Sequence, residues 1–328
     1  MGSLSGRTFG LVAALALGAP AGARAQAPAR VPVAPLTVRV LDVGQGDAIY
    51  IENGGSRVLV DGGPDPKVLA RKLDALGLRN TTLDVVILTH VHADHAGGLR
   101  ELFGSGRALR VRYFFDNGDA WPGVSLALLR DSVSARAARK ELVWRDTDDP
   151  CANGTPVCTI TLKGGARLRI MRPAPAGVGG SNENDRSVAL KLLAPDSARF
   201  SMWLAGDAER PELSWFETAG YARNPGMGVD VLKADHHGSC NGIDARYLDL
   251  THPKWVIASV AAHNTFHHMH TQTKTLLRSR AIPWYRTDAN GDVVISVPVA
   301  APFTITPTRG SKNASGPSDR RSPQPICQ

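Results

Sequence analysis

The chain has 328 residues, 43% of them hydrophobic, and a formal net charge of +8. A chain of this length and apolar content can bury a substantial core, which excludes a fully disordered protein. One large α/β domain is the favoured organisation. The basic residues form no tight run of Lys and Arg. The charge therefore favours an anionic substrate only weakly, and a solvated basic surface is the simpler interpretation.

The first 25 residues have the features of an export signal. Arg7 precedes a short apolar stretch over residues 9–19, and Ala23-Arg24-Ala25 is a small-residue cleavage signal. Cleavage would leave a mature chain that begins near Gln26 and carries a charge of +6. An uncleaved interfacial anchor is the alternative. The apolar stretch is shorter than the about 20 residues that span a bilayer, and no other segment approaches that length. We therefore expect no membrane span in the mature chain, and a location in the bacterial periplasm or outside the cell.

After a Pro/Ala-rich linker over residues 26–35, strands and helices are predicted to alternate up to residue 307. Predicted strands cover residues 36–43, 48–52, 57–60, 83–88, 142–144, 159–163, 167–171, 187–193, 200–204, 229–233, 255–260 and 293–297. Predicted helices cover residues 67–76, 124–140, 211–218, 245–250 and 272–280. This alternation in two halves predicts two packed sheets with helices outside. Residues 308–328 are rich in Ser, Pro, Gly and Arg, and they are predicted to be a disordered tail.

Four cysteines suit an oxidising compartment. Cys151 and Cys158 flank an Asn-Gly turn and predict a disulfide that closes a small loop, with two free thiols as the alternative. Cys240 and Cys327 are a second possible pair that would pin the tail, and the sequence leaves that pairing open. Neither spacing is typical of a zinc ribbon.

A cluster of potential metal ligands follows the apolar strand at residues 83–88. It contains His90, His92, Asp94 and His95, and imidazole and carboxylate groups are good ligands for zinc and similar ions. His90 and His92 point to the same side of an extended segment, because side chains there alternate. If the chain turns after Ala93, the other two ligands face a second position. Four ligands in six residues can then serve two ions about 3.5–4 Å apart. Ordinary loop histidines are a poor alternative for so dense a cluster.

Three later segments carry further candidates at the ends of apolar runs. Asp207 ends a predicted strand and could bridge two metals, although Gly-Asp turns are common. His236 and His237 end another strand, and a core-packing role is the alternative for whichever of them is not a ligand. Residues 263–270 form a His-rich loop. We favour a substrate-facing role for it over a surface patch that scavenges metal.

Taken together, these segments resemble a known family. The run His90-Val91-His92-Ala93-Asp94-His95, followed by two glycines, resembles the metallo-β-lactamase superfamily motif His-x-His-x-Asp-His. Six further segments resemble one branch of it, the hydrolase domain of ComEC-type DNA-uptake proteins and their stand-alone relatives. These segments are residues 41–48, 59–63, 182–187, 205–207, 233–239 and 287–291. The resemblance covers residues 36–297 in order. Bacterial phosphorylcholine esterases share much of the pattern.

The resemblance implies a four-layer αβ/βα sandwich with two divalent metal ions at one edge between the sheets. The implied ligands are His90 and His92 for the first ion, Asp94 and His95 for the second, Asp207 as a bridge and His236 completing the second site. His237 is the reserve for His236, because sequence does not order two adjacent histidines. Asp61 is implied to orient a ligand.

Two departures from the family pattern matter. Many members have another His ligand between the motif and the bridging Asp, but this chain has no His from residue 96 to 206. Asn184 or Asp185 is expected near the first metal instead, so that site is expected to be weaker and to lose metal on purification. ComEC-type proteins also join this domain to a membrane channel. No channel segment is recognised here, so the resemblance implies hydrolysis and not DNA transport.

The hypothesis that follows is two-metal hydrolysis by a metal-bridged hydroxide, with zinc as the expected ion and manganese as the alternative. Asp94 is expected to orient the hydroxide. His268 or His270 is expected to contact a phosphate oxygen or protonate the leaving group. His268 is favoured because it falls where the branch has a His after an Asn-aromatic pair.

The expected substrate is anionic, namely nucleic acid or another phosphodiester. A hydrolase of lactone, thioester or β-lactam bonds is the first alternative, since the same site can attack an acyl carbon. A non-catalytic metal-binding scaffold is the second. The sequence leaves open the substrate, the choice between zinc and manganese, and the oligomeric state.

Overall fold

The computed structural model describes residues 33–104, 109–146, 154–196 and 199–316. Within these ranges, fifteen strands form two sheets of eight and seven strands. In spatial order, the first sheet contains β15 (Thr304–Pro307), β14 (Val293–Val297), β1 (Leu36–Val40), β2 (Ile49–Asn53), β3 (Ser56–Val60), β4 (Thr82–Ile87), β5 (Arg110–Asp116) and β6 (Val143–Asp146). The second contains β13 (Trp284–Arg286), β12 (Trp255–Ala258), β11 (Val231–Lys233), β10 (Ser201–Leu204), β9 (Leu190–Leu193), β8 (Arg167–Met171) and β7 (Val157–Thr161).

The helices of the described ranges connect these strands. They are α1 (Pro66–Ala75), α2 (Ala93–Ala96), α3 (Arg100–Phe103), α4 (Gly123–Ala138), α5 (Arg210–Thr218), α6 (Ala245–Thr251), α7 (Thr271–Ser279) and α8 (Thr287–Asn290). Short helical turns lie at Gly97–Leu99, Glu183–Arg186, Ala222–Gly226 and Asp235–Gly238. Helix α1 shows how local sequence sets a boundary: Asp65 caps it by accepting from the Lys67 N–H, and Pro66 occupies its first turn. None of these helices has both the length and the apolar character of a bilayer span.

Each sheet has a parallel half, which positions the functional residues. Strands β3 to β6 run parallel to one another, and so do β10 to β13. Because parallel strands need a crossover, helices such as α1 and α4 lie between successive strands in the chain. The loops that follow the carboxyl ends of such strands commonly hold active-site residues.

Three apolar clusters define four layers. Buried residues of both sheets, including Val38 and Leu192, form the central core. One outer core joins the first sheet to α1 and α4, and includes Leu69 and Leu129. The other joins the second sheet to helices α5, α6 and α7, and includes Phe216. The predicted four-layer αβ/βα sandwich is therefore confirmed.

The disordered tail was predicted to begin at residue 308, but the structure shows ordered contacts beyond that point. Residues 308–316 pack on the domain through backbone hydrogen bonds, from the Thr308 N–H to the Asp292 carbonyl (2.9 Å) and from the Asn313 N–H to the Trp284 carbonyl (2.8 Å). The prediction of disorder for residues 308–316 is wrong because composition carries no information about backbone partners supplied by distant strands.

Strands β5, β13 and β15 were also absent from the prediction. Strand β13 has only three residues and β15 is a partly exposed edge strand, so neither carries a strong periodic signal.

Several predictions fall outside the described residues. These are the leader over residues 1–25, most of the linker, residues 317–328, and the two cysteines Cys151 and Cys327. Cys158 and Cys240 are described, and neither is a free thiol. Both pairings stay predictions because one partner of each is not described.

Candidate metal centre

The carboxyl ends of parallel strands bring the predicted ligands together from both sheets. Asp61 follows β3 and His90 follows β4 in the first sheet. Asp207 follows β10 and His237 follows β11 in the second. His95 Nε2 lies 3.2 Å from Asp207 Oδ1, so these ends meet at one edge of the sandwich.

The metal-binding motif itself turns from strand to helix. His92 has extended backbone angles and is the residue immediately before α2, so Asp94 and His95 lie on the first turn of that helix. The turn occurs where the sequence predicted it. His90 Nε2 and His92 Nδ1 are 3.1 Å apart, which places their rings side by side as candidate ligands of one ion.

A second group of ligand atoms is centred on Asp207. Atoms of Asp94, His95, Asp207 and His237 all lie within 4.8 Å of one another. His237 Nε2 is 3.2 Å from Asp207 Oδ2 and 3.2 Å from Asp94 Oδ2. Asp207 thus faces His95 with one oxygen and His237 with the other. Two imidazoles and two carboxylates are a donor set that fits zinc and manganese.

The electrostatics of this group also fit a divalent ion. Burial raises the pKa of Asp207, but His237 and His95 outweigh burial and hold that pKa well below its usual value. Burial lowers the pKa of His237, but Asp207 outweighs it and raises the pKa to about 9. Burial and then His95 lower the pKa of His90 well below its usual value. The lowered pKa of Asp207 and the raised pKa of His237 reflect the close approach of these opposite charges. A divalent cation would take the place of the imidazole protons beside the carboxylates.

The choice between the two adjacent histidines goes against the prediction. His237 is 1% exposed and lies in the Asp207 group, whereas His236 Nε2 is 4.0 Å from Asp207 and His236 Nδ1 lies 3.0 Å from Glu209. Both histidines have left-handed backbone angles, with φ of 46° and 55°. Such angles cost about 1–3 kcal/mol each in a non-glycine residue. The tight turn they form directs the His236 ring toward Glu209 and the His237 ring into the Asp207 group, so His237 replaces His236 as the candidate ligand.

Asp61 lies where it would orient His95. It is fully buried, and its two oxygens accept hydrogen bonds from the Thr89 N–H and hydroxyl, each at 2.8 Å. Asp61 Oδ2 is also 2.8 Å from His95 Nδ1. A carboxylate on Nδ1 fixes the ring so that Nε2 points toward the ligand group.

The structure also separates Asn184 from Asp185. Asn184 is 7% exposed, and its amide donates to Glu209 Oε1 at 2.8 Å. That bond leaves the Asn184 Oδ1 atom, buried and without a hydrogen-bond partner among the described residues, beside the cavity that His92 lines. Asp185 Oδ1 instead accepts from backbone N–H groups, including that of Glu209 at 3.2 Å. Asn184 is therefore the candidate near the first metal, and Asp185 holds the adjoining backbone.

The ligands lie at the base of a cavity of about 640 Å³. Its lining consists of Gln45, His92, Ala93, Asp94, Asn184, Asp207, His236, His237, Thr265, Phe266, His267, His268 and His270. No Lys or Arg is among these lining residues. Within this lining, bound ions would therefore supply the positive charge that receives an anion.

Two histidines of the His-rich loop have different surroundings. The Ala261 N–H donates to Gln45 Oε1 at 3.3 Å, which orients the Gln45 amide so that its Nε2 donates to His268 Nδ1 at 3.2 Å. His268 therefore carries its proton on Nε2. His270 Nδ1 accepts from the Cys240 N–H at 3.1 Å, and its Nε2 lies 3.0 Å from the Phe266 carbonyl. Backbone groups engage both ring nitrogens of His270, so the geometry favours a loop-bracing role for it.

Three residues that contact the predicted site residues were not identified from the sequence. Glu183 Oε2 is 3.1 Å from His92 Nε2, Glu209 contacts both Asn184 and His236, and Gln45 holds the histidine loop. Glu183 and Gln45 lie inside segments that carry the family resemblance. Proximity to those motifs was the signal that could have identified them.

Comparison with known proteins agrees with this architecture. Residues 41–113 match the family model described as the Metallo-beta-lactamase superfamily. The chain has the metallo-β-lactamase fold. This match and the Asp207 ligand group agree with the predicted class, a metal-dependent hydrolase.

The chain is similar to two curated proteins of the ComEC type, as predicted. It is 27% identical to ComE operon protein 3 of Bacillus subtilis (strain 168) over 283 residues, covering 78% of this chain and 32% of that protein. It is 22% identical to Competence protein ComA of Neisseria gonorrhoeae over 268 residues, covering 80% and 33%. The chain thus spans about a third of the length of these relatives. Among solved structures, the metallo-beta-lactamase fold protein YhfI from Bacillus subtilis aligns with 12% identity and a TM-score of 0.49, covering 80% of this chain and 99% of that one.

Proposed function

We propose that this metallo-hydrolase is a phosphodiesterase that acts on nucleic acid or another phosphodiester. The observation that carries the proposal is the ligand group around Asp207, which lies at the base of an open, histidine-lined cavity without Lys or Arg. A phosphodiester has a single negative charge, and two divalent ions with neutral imidazoles are sufficient to receive it. A phosphomonoester has more charge and would favour a fixed guanidinium or ammonium group as well.

The ligand sets proposed here use this chain's own geometry. His90, His92 and the Asn184 amide oxygen would hold the first ion, and Asp94, His95 and His237 would hold the second. Asp207 would contact the second ion, because its two oxygens face His95 and His237, and we retain its predicted role as the bridge to the first ion. When bound, the ions would supply a water of lowered pKa and offset the charge that develops on the phosphoryl group. We propose zinc, with manganese as the alternative that the same donor atoms accept.

His268 is proposed as a hydrogen-bond donor to the substrate. Burial, followed by the neighbouring His237, lowers the pKa of His268 to about 2, so the ring is neutral at physiological pH. A neutral imidazole is a weak general acid, which argues against the predicted transfer of a proton to the leaving group. With Nδ1 occupied by Gln45, the Nε2–H is the group that could donate to a phosphoryl oxygen.

Phe266 supports an aromatic substrate group. Its side chain is 60% exposed, lines the cavity and stacks on the His268 ring at a centroid distance of 5.7 Å. An exposed ring beside a hydrolytic centre can stack on a nucleobase without reading sequence. The resemblance to ComEC-type proteins supports the same substrate class.

The test is hydrolysis of bis(p-nitrophenyl) phosphate before and after chelation, with zinc or manganese then added back. We expect turnover to disappear with chelator and return with one metal. Asp94→Ala should remove turnover and leave the circular dichroism spectrum unchanged, whereas Asp131→Ala, at an exposed position of α4, should behave like the wild type. Turnover that survives chelation or the Asp94 substitution would refute the proposal.

Hydrolysis of lactone, thioester or β-lactam bonds is the second candidate. The same absence of Lys and Arg from the cavity lining favours it, because a neutral acyl substrate needs no fixed cation. Turnover of such esters with the diester untouched would select this candidate. Binding of metal without turnover of either class would select a non-catalytic scaffold.

We also propose that the protein is exported and that Cys151 pairs with Cys158. The leader composition and the cysteine content support both statements. Amino-terminal sequencing of the periplasmic and extracellular fractions should give a chain that begins near Gln26. A start at Met1 in every fraction would overturn the export proposal. Peptide mapping without reductant should recover the two cysteines in one linked fragment.

A further inference from the structure

A buried ion pair lies directly behind the candidate metal ligands. Asp47 is 1% exposed, Lys233 is fully buried, and Asp47 Oδ1 is 2.8 Å from Lys233 Nζ. Asp47 Oδ1 is also 3.6 Å from His237 Nδ1. The carboxylate therefore faces both the lysine and the side of the His237 ring that points away from Asp207.

The loop that carries Asp47 is held rigidly against the ligand group. A Cβ atom on Gly46 would lie 2.0 Å from the Asp94 carbonyl oxygen, so the loop packs on Asp94 as closely as a backbone can. The Asp47 carbonyl accepts from the Gly63 N–H at 2.7 Å, which ties the loop to the turn that follows Asp61. The position of the Asp47 carboxylate is thus determined by the same backbone that places the ligands.

The two buried histidines that contact Asp207 have matching surroundings. Each presents Nε2 to Asp207, at 3.2 Å, and each has a buried carboxylate facing Nδ1. For His95 this carboxylate is Asp61, which Thr89 holds with neutral donors. For His237 it is Asp47, which is held by the cation of Lys233.

The two histidine–carboxylate pairs differ in the distance between the ring nitrogen and the carboxylate oxygen. His95 and Asp61 are 2.8 Å apart, within hydrogen-bond distance. His237 Nδ1 is buried and has no hydrogen-bond partner among the described residues, whereas Asp47 Oδ1 is engaged by the Lys233 ammonium. A buried donor or acceptor left in this state is unfavourable. An ion on Nε2 would leave the ring proton of His237 on Nδ1, and closing the 3.6 Å gap to Asp47 would give that proton an acceptor.

We propose that Asp47, held in place by Lys233, is a positioning residue that orients His237 toward a bound metal ion. This inference rests on the metal centre proposed above. A carboxylate behind a metal-binding histidine fixes the ring tautomer and raises the basicity of the ligand nitrogen. The competing explanation is that Asp47 and Lys233 form a structural ion pair with no effect on the metal.

The test compares Asp47→Asn, Lys233→Met and the double variant, with Asp84→Asn as the control. Asp84 lies at the opposite end of its strand and contacts Arg112 and Lys163. Metal affinity is measured by competition with a chromogenic chelator, using zinc alone, and stability is measured by thermal unfolding without metal. For Asp47→Asn we expect affinity for one zinc equivalent to fall about 10- to 100-fold. Asp84→Asn should bind zinc like the wild type.

The double variant separates the two explanations. Lys233→Met alone leaves a buried carboxylate without its cation and should lower the melting temperature strongly. Removing both charges should restore much of the melting temperature but not the zinc affinity. Recovery of affinity together with stability, or wild-type affinity in Asp47→Asn, would overturn the proposal.

Zinc affinity is independent of turnover. A wild-type protein that binds zinc but hydrolyses nothing would refute the proposed function and leave this inference in place. A wild-type protein that binds neither zinc nor manganese would overturn both.

Discussion

Replacing Gly98 with Ala should damage both the fold and the metal centre. Gly98 lies in the helical turn Gly97–Leu99 that follows the ligand-bearing helix α2. An added Cβ would lie 1.9 Å from the Gly62 carbonyl oxygen, whereas close carbon–oxygen contacts in proteins are about 3.3–3.6 Å. The backbone would have to separate by about 1.4 Å or more, and the obstructing atom is itself backbone, which has no rotamer to adopt.

The magnitude follows from the contacts that this separation breaks. The Gly98 N–H donates to the Gly63 carbonyl and the Gly62 N–H donates to the His95 carbonyl, each at 2.7 Å. Losing these two hydrogen bonds costs about 1 kcal/mol each, and forcing an extra methyl group into a packed site costs about 1–3 kcal/mol. We therefore expect the free energy of unfolding to fall by about 3–5 kcal/mol. Because the shift separates His95 from Asp61, we expect turnover to fall about 100-fold or more.

Urea denaturation and zinc content measure the two effects in one preparation. Gly228→Ala is the matched control: it makes the same chemical change at a position where no atom lies within 4 Å of the added Cβ and where φ is not left-handed. The control should change stability by less than about 0.5 kcal/mol and should retain its metal. A Gly98→Ala protein with the stability and zinc content of the control would refute this account of the site.

Three further predictions concern the site and the chain end. His237→Ala should lower the zinc content of dialysed protein by about one equivalent, as measured by elemental analysis, whereas His236→Ala should retain it. The reverse result would contradict the assignment of His237 as the ligand. Gln45→Met keeps the side-chain length but releases the histidine that it holds. It should lower kcat about 10-fold with zinc content unchanged, and equal loss of zinc would contradict this role. Asn313→Ala removes the side-chain oxygen that accepts from the Trp284 N–H at 3.0 Å. Thermal or urea unfolding should show a loss of about 1 kcal/mol, and no loss would mean that residues 308–316 contribute nothing to stability.

The parts of the fold that could be predicted have a strong local signal. The continuous apolar run that became β4 and the periodic helix α1 were predicted to within one or two residues. Both depend on side-chain spacing within a single segment. Strands β13 and β15 were not predicted because one is very short and the other is a partly exposed edge strand. Strand β13 also pairs with β12, which lies more distant in sequence. The same reason explains the packing of residues 308–316, whose acceptors lie in α8 and β13 and in the connection to β14.

For the candidate site, the sequence by itself determined which chemical groups are available and roughly where strands deliver them. His90, His92, Asp94 and His95 are dense enough to predict a two-metal centre, and the end of an apolar run indicated Asp207. The metal assignment of each remains a prediction, because no observation yet tests it.

Only the tertiary structure decided between neighbouring residues of equal chemistry. His237 Nε2 lies 3.2 Å from Asp207 and His236 Nε2 lies 4.0 Å from it, because a left-handed turn after β11 directs their side chains apart. Asn184 faces the cavity because Glu209, 25 residues away, engages its amide. Asp47 acquires its proposed role only when Lys233 and His237 fold against it from the other sheet. Residue type and periodicity are local properties, whereas the direction of a buried polar side chain depends on partners that folding brings from distant parts of the chain.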